Sequence, residues 1–161
     1  MKTHFSIARV GLIALIAGVI AIGSAAARAD DDGGGKVVIS TPLAPAAIGP
    51  YSQAIRVGRT VYLSSQIAID PTTNQFMTGA SIEDQTRRVL ENLAGVLTAA
   101  GLTLDDVVNA TVYLADLNDF AKMNQVYATF FNNAPPARAT IQVAGIPRNA
   151  KVSISAIAVA P

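Results

Sequence analysis

The sequence predicts an α+β fold, a two-layer sandwich with a mixed β-sheet packed against two α-helices, and three observations lead to it. Residues 81–100 repeat apolar side chains at helical spacing. Three later runs, at 110–114, 138–143 and 151–159, are β-rich or alternate polar with apolar residues. The elements follow the order two or three strands, helix, strand, helix, two strands. Each amphipathic helix needs an apolar sheet face to cover, so two layers are the economical arrangement.

The elements can be justified in turn. Val37-Val38-Ile39 is a short apolar run suited to a first strand. Thr41 to Pro50 holds Pro42, Pro45 and Pro50 and reads as an irregular crossing segment. Tyr51 to Val57, the turn Gly58-Arg59 and Thr60 to Ser64 read as a hairpin. Asp70-Pro71-Thr72-Thr73-Asn74 is a turn. Ser81 is a good N-cap, Glu83 and Asp84 suit the first turn, and Ile82, Val89, Leu90, Leu93, Val96, Leu97 and Ala100 form the apolar stripe that Gly101 ends. Asp105 to Asn109 leads into the strand Ala110 to Leu114. Asn118 or Asp119 caps a second helix, whose stripe of Phe120, Met123, Tyr127, Phe130 and Phe131 reads as core. After Pro135-Pro136, Arg138, Thr140 and Gln142 alternate with Ala139, Ile141 and Val143. Along Lys151 to Val159, Ser153 and Ser155 alternate with Val152, Ile154 and Ala156. Asp70, Asp116 and Asp119 fall at turns or caps, where a structural role is the default.

Ahead of this domain, residues 1–29 read as a cleavable signal peptide. Lys2 and Arg9 form a basic start, Val10 to Ile22 an apolar run, and Ala27-Arg28-Ala29 a small-residue cleavage site. The run is shorter than the roughly 20 apolar residues a membrane span requires. Residues 30–35, Asp-Asp-Asp-Gly-Gly-Gly, make a polar linker, and 36–161 the domain. The expected location is periplasmic or secreted, with no membrane attachment once the signal is removed. Cleavage takes Lys2, Arg9 and Arg28 from the 12 basic residues, so 9 face the 11 acidic ones and the net charge moves from +1 to −2. No basic cluster is left, which argues against nucleic acid as a partner.

The only histidine, His4, leaves with the signal, and the chain has no cysteine. Histidine-based acid–base pairs, Ser–His or Cys–His nucleophiles and histidine or thiolate zinc sites are thereby excluded from the processed chain. Arg138 opens a strand between small Ala137 and Ala139. Its position suits either a planar fork for a carboxylate or phosphate, or an ordinary surface salt bridge. Tyr51, beside Gly49-Pro50, suits either a site or simple packing on a turn. Ser64-Ser65-Gln66 ends a strand and offers hydroxyls and backbone N–H groups, or plain strand-end polarity.

Taken together, several segments resemble the Rid family (reactive intermediate deaminases, the YjgF or RidA family). They are Ala44-Pro45-Ala46-Ala47-Ile48-Gly49-Pro50-Tyr51-Ser52-Gln53, Ser64-Ser65-Gln66-Ile67, Asp116-Leu117-Asn118-Asp119-Phe120, and Pro136-Ala137-Arg138 leading to Ala156-Ile157-Ala158-Val159. The resemblance spans nearly the whole domain. It implies a chorismate-mutase-like fold and a homotrimer with sites between subunits. It further implies hydrolysis of 2-imino or enamine acids to 2-keto acids and ammonia, with no cofactor and no metal. Arg138 matches the family's carboxylate clamp, and Tyr51, Ser64 and Asn124 match other site-lining positions. The backbone at Ser65 and Thr140 matches the rest of the substrate cradle.

The departures are specific. Ser153 stands where the deaminase pattern has a water-positioning glutamate, and Ser155 at the next same-face position, often acidic as well. Ser65 replaces the glycine of the usual Ser-Gly-Gln triplet, and Thr140 a frequent cysteine. A serine is no carboxylate base, and losing a positioned base costs about 10²–10⁴-fold in rate. Two readings follow: a weak or altered deaminase using Arg138, Tyr51 and Ser153, or a non-catalytic module for small carboxylates, with a chaperone-like role as a further option.

Overall fold

A computed structural model describes residues 35–161 of the chain, and the signal peptide and nearly all of the linker expected at 1–35 lie outside the described residues. The described residues form one compact unit. Its strands are β1 (Val37–Ile39), β2 (Ala54–Val57), β3 (Thr60–Gln66), β4 (Val107–Leu114), β5 (Ala137–Gln142) and β6 (Val152–Val159). Its helices are α1 (Ile82–Ala99) and α2 (Phe120–Phe130). The strands build one sheet in the order β1-β2-β3-β6-β4-β5. Every pairing is antiparallel except β4 with β5, which α2 connects as a crossover.

Both helices belong to the same layer, because the register sorts the side chains of each strand to one face or the other. Ala54, Leu63 and Ala156 form one row on the helix side, and Val61 pairs with Ala158 beside it. Ala110, Val112 and Leu114 on β4 are buried there with Val152, Ile154 and Ala156 on β6. Over this surface α1 lays Val89, Leu90, Leu93, Val96 and Leu97, each at most 1% exposed. Burial of such side chains stabilises by about 1.5–3 kcal/mol apiece. The start of α1 follows its chemistry: Ser81 Oγ accepts from Asp84 N at 3.0 Å.

The proline-rich segment crosses α1 through two devices. Gln53 is 4% exposed, and its Oε1 accepts from Thr41 N at 2.6 Å while its Nε2 lies 3.1 Å from Ala44 O and 2.8 Å from Pro45 O. Gly95 supplies the second, since a Cβ there would stand 2.4 Å from Leu43 O, inside contact distance of a backbone atom. This explains a glycine in mid-helix, where it otherwise costs about 0.5–1 kcal/mol relative to alanine. Asp70 ties its own turn, accepting from Thr72 N and Thr73 N at 2.8 and 2.9 Å. The Thr73 bond above all holds its carboxyl below the usual range.

Four sequence expectations shift. The strand expected at Ala110 begins at Val107, following a 3-10 turn at Leu104–Asp106. The second helix follows another 3-10 turn, Leu117–Asp119, capped by Asp116, whose carboxylate accepts from Asn118 N at 2.9 Å; Asp119 heads α2 without a side-chain cap bond. Phe120 is 40% exposed, so the aromatic stripe of α2 enters the core only from Met123 onward. On β5 the pairs Ala110 with Arg138 and Val112 with Thr140 turn the polar residues toward the helix layer, and Ile141 faces outward at 46% exposure. Alternation correctly separates the two sets there, but the apolar set is the one left uncovered.

The outer sheet face is correspondingly apolar. Val38, Ile55, Tyr62 and Ile157 align as one row across four strands, with Val38 59% and Tyr62 50% exposed.

Candidate active site

Arg138 is the second residue of β5, directly above α2. Phe120, Asn124 and Tyr127 lie at i, i+4 and i+7 of that helix, one stripe beneath the guanidinium. One terminal nitrogen of Arg138 donates to Asn124 Oδ1 at 2.8 Å. The guanidinium carbon stands 4.4 Å from the Tyr127 ring centroid and 5.9 Å from that of Phe120, a cation–π arrangement. Tyr127 in turn stacks on Phe131, with centroids 4.5 Å apart.

This guanidinium is half-buried, and among the described residues no carboxylate pairs with it; the ion pairs found there belong to Arg88. Among the described residues, then, it makes no surface salt bridge. Two buried hydroxyls of the same layer, Tyr127 Oη and Thr140 Oγ1, also have no hydrogen-bond partner among the described residues. Burial pushes the Tyr127 phenol above its ordinary range, against an opposing pull from the Arg138 charge. The phenol thus stays protonated at neutral pH. A cation held flat on an aromatic ring with part of its fork free has the donor geometry for a planar anion.

The other candidates gather elsewhere. A cavity of about 360 Å³ opens between the Pro45–Tyr51 segment, the end of β3, Tyr113 of β4, Ser153 of β6 and Ile146-Pro147. Tyr51 lines it, 47% exposed, with its hydroxyl accepting from Ile48 N at 3.3 Å. Ser65 and Ser153 form part of the wall, their hydroxyl oxygens 2.5 Å apart, and Ser153 Oγ lies 3.0 Å from Gln66 O. Ser64 is not among the lining residues. Its hydroxyl donates to Ser52 O at 2.6 Å and its N–H to Gln53 O at 3.0 Å, so it fastens the chain that carries Tyr51.

Six of the seven candidates thus fall into two groups: Arg138, Asn124 and Thr140 at one edge, Tyr51, Ser65 and Ser153 around the cavity. The register explains the separation. Arg138 pairs with Ala110 on the helix side, whereas Ser153 pairs with Tyr113, whose side chain belongs to the opposite face. Alternation along β4 puts positions 110 and 113 on different sides of the sheet. Reading the sequence missed Tyr127 as the platform for Arg138, although its spacing from Asn124 and Phe120 carries that signal. It also missed Tyr113 and Ile146-Pro147, which reach the cavity through long-range pairing.

Comparisons with known proteins bear on the fold and the family. The family described as Endoribonuclease L-PSP matches residues 41–160. A RutC family protein of Pyrococcus horikoshii is 51% identical over 123 residues, covering 76% of this chain and 97% of that one. The 2-iminobutanoate/2-iminopropanoate deaminase of mouse is 51% identical over 122 residues, covering 76% and 90%. Among solved structures, Escherichia coli TdcF with bound serine superposes with a TM-score of 0.74 at 42% identity, covering 78% of this chain and 99% of that one.

Proposed function

This chain belongs to the Rid family, the group described as endoribonuclease L-PSP, and from that membership we propose that it hydrolyses 2-imino acids to 2-keto acids and ammonia in a cleft completed by a second copy of itself. The observation that carries the reading is Arg138, a half-buried cation with no carboxylate partner among the described residues, stacked on Tyr127 and held by Asn124. Desolvated cations are costly unless an anion meets them, and a substrate carboxylate meets this one. A relative named for deamination at about half identity and another with serine bound support the same class of small amino-acid-like ligand.

The second copy follows from the two half-sites. Arg138 and Ser153 project from opposite faces of one sheet, so a ligand held by both draws them from different chains. The uncovered row Val38, Ile55, Tyr62 and Ile157 supplies the apolar face for such contact, and the family resemblance favours a trimer. Neutral hydroxyls and apolar walls beside a single arginine suit a small carboxylate better than a polyanionic nucleic acid backbone.

In the reaction, water adds to C2, the C=N π pair moves to nitrogen, and a proton passes from the water to that nitrogen. The carbinolamine hydroxyl then passes its proton to that nitrogen as the C–N bond breaks, so that ammonia leaves and the C2–O bond becomes the ketone. Arg138 fixes the carboxylate, which places C2 in the cavity. Ser153 cannot take the proton as a carboxylate would, so turnover is slower than base-assisted deamination. Incubating the purified protein with freshly generated 2-iminopropanoate is expected to release pyruvate and ammonia faster than buffer. A rate equal to buffer overturns the catalytic reading, and binding of 2-keto acids without turnover would replace it with a carboxylate-binding module.

A further inference from the structure

The two serines of the cavity wall form a hydroxyl chain whose direction is fixed. Gln66 O is a carbonyl and only accepts, so Ser153 Oγ, 3.0 Å away, donates its single proton there. Ser153 Oγ must then accept at its 2.5 Å contact with Ser65, which ties up the Ser65 proton as well. Ser65 Oγ is left with lone pairs and no other hydrogen-bond partner among the described residues, on a residue that lines the cavity. Ser153 is 7% exposed, so solvent has little access to the inner link. The buried side chains of Ile69 and Ile146 also line the cavity.

We propose that the Ser65–Ser153 pair makes the site selective for nitrogen over oxygen at C2 of its carboxylic acid ligand. This inference rests on the carboxylate-site reading above. An imine or ammonium N–H meets the Ser65 acceptor directly, whereas a ketone oxygen brings lone pairs against lone pairs. The same polarity favours binding of the imine and release of the ketone it becomes. Tyr51 keeps a proton of its own at the cavity, because its oxygen accepts from Ile48 N, and that proton serves ligand oxygens. Ser65 is thereby a specificity residue and Ser153 the residue that orients it.

The test is a titration of the purified protein with 2-aminobutanoate and with 2-oxobutanoate, followed by calorimetry. The unmodified protein is expected to bind the amino acid about tenfold more tightly or better, the scale of one hydrogen bond involving a charged group. Ser153→Ala frees the Ser65 proton to point into the cavity, and the ratio is expected to fall to about one or invert. Ser65→Gly removes the acceptor and is expected to abolish the preference without closing the cavity. Comparing ratios across variants cancels intrinsic differences between the ligands, and thermal denaturation confirms that each variant is folded. A ratio unmoved by both substitutions overturns the inference alone. Binding of neither acid by the unmodified protein overturns the carboxylate-site reading and the inference with it.

Discussion

Replacing Arg138 with alanine is expected to lower kcat/KM for 2-iminopropanoate by on the order of 10²-fold, mostly through a higher KM. Among the described residues the guanidinium is the one cation of the proposed site, and its fork has room for a carboxylate beyond the bond to Asn124 Oδ1 at 2.8 Å. Without it the imine enters the cavity unanchored, and C2 is no longer held where water can reach it. Arg138→Lys keeps the charge but loses the planar fork and the stacking on Tyr127, so an intermediate loss is expected. Pyruvate release measured over a range of imine concentrations separates KM from kcat. An alanine variant as fast as the parent at low substrate would remove Arg138 from the site.

The largest gain is expected from a double substitution, Ser65→Gly with Ser153→Glu. Restoring the acid at position 153 alone meets an obstacle in the structure. Ser65 Oγ stands 2.5 Å from Ser153 Oγ, in the space a longer side chain must cross. The two departures from the deaminase pattern are therefore coupled: the wall has a serine at 65 where the acid at 153 is absent. With both reversed, a positioned base is expected to raise kcat by roughly 10²–10⁴-fold, while Ser153→Glu alone gives much less. The introduced carboxylate would lie against an apolar cavity, and burial raises its pKa. Because a base acts when deprotonated, the rate of the double variant is expected to climb with pH through that pKa. The unmodified protein, lacking the group, is expected to show no such step. Stopped assays at a series of pH values check both points, and equal rates for the double variant and the parent would contradict the coupling.

Much of the fold could be read from local pattern. The stripe of α1 and its Ser81 cap are short-range features, and so are the hairpin at Gly58-Arg59 and the turn at Asp70. What was not legible depends on pairing between distant segments. The side of the sheet that Ile141 faces is decided by its register beside β4, and alternation cannot tell which side the helices cover. Asn118 and Asp119 are the caps that local spacing offers, and only the 3-10 turn ahead of α2 moves the side-chain cap bond back to Asp116.

The site divides the same way. Arg138 is visible in the sequence through its position after Pro135-Pro136, but the spacing of its platform Tyr127 reads as core, which its 4% exposure also satisfies. The Ser65–Ser153 contact joins residues 88 positions apart across a register shift between Leu63 and Gln66, so no local spacing announces it. The split of the candidates between two sheet faces is likewise not legible in the sequence, because a motif match is silent on which face of the sheet each residue takes.

That split is the centre of the account, and mixed assemblies test it most directly. Arg138→Ala disables one half-site, and Ser65→Phe fills the cavity that forms the other. Each variant alone is expected to hydrolyse 2-iminopropanoate at close to the buffer rate. When the two are co-assembled and the mixed trimers recovered through different tags, about one site in three combines an intact arginine with an intact cavity. The account predicts recovery of about a third of the parent activity in those mixed trimers. A verified co-assembly no more active than its separate components would contradict a site shared between copies.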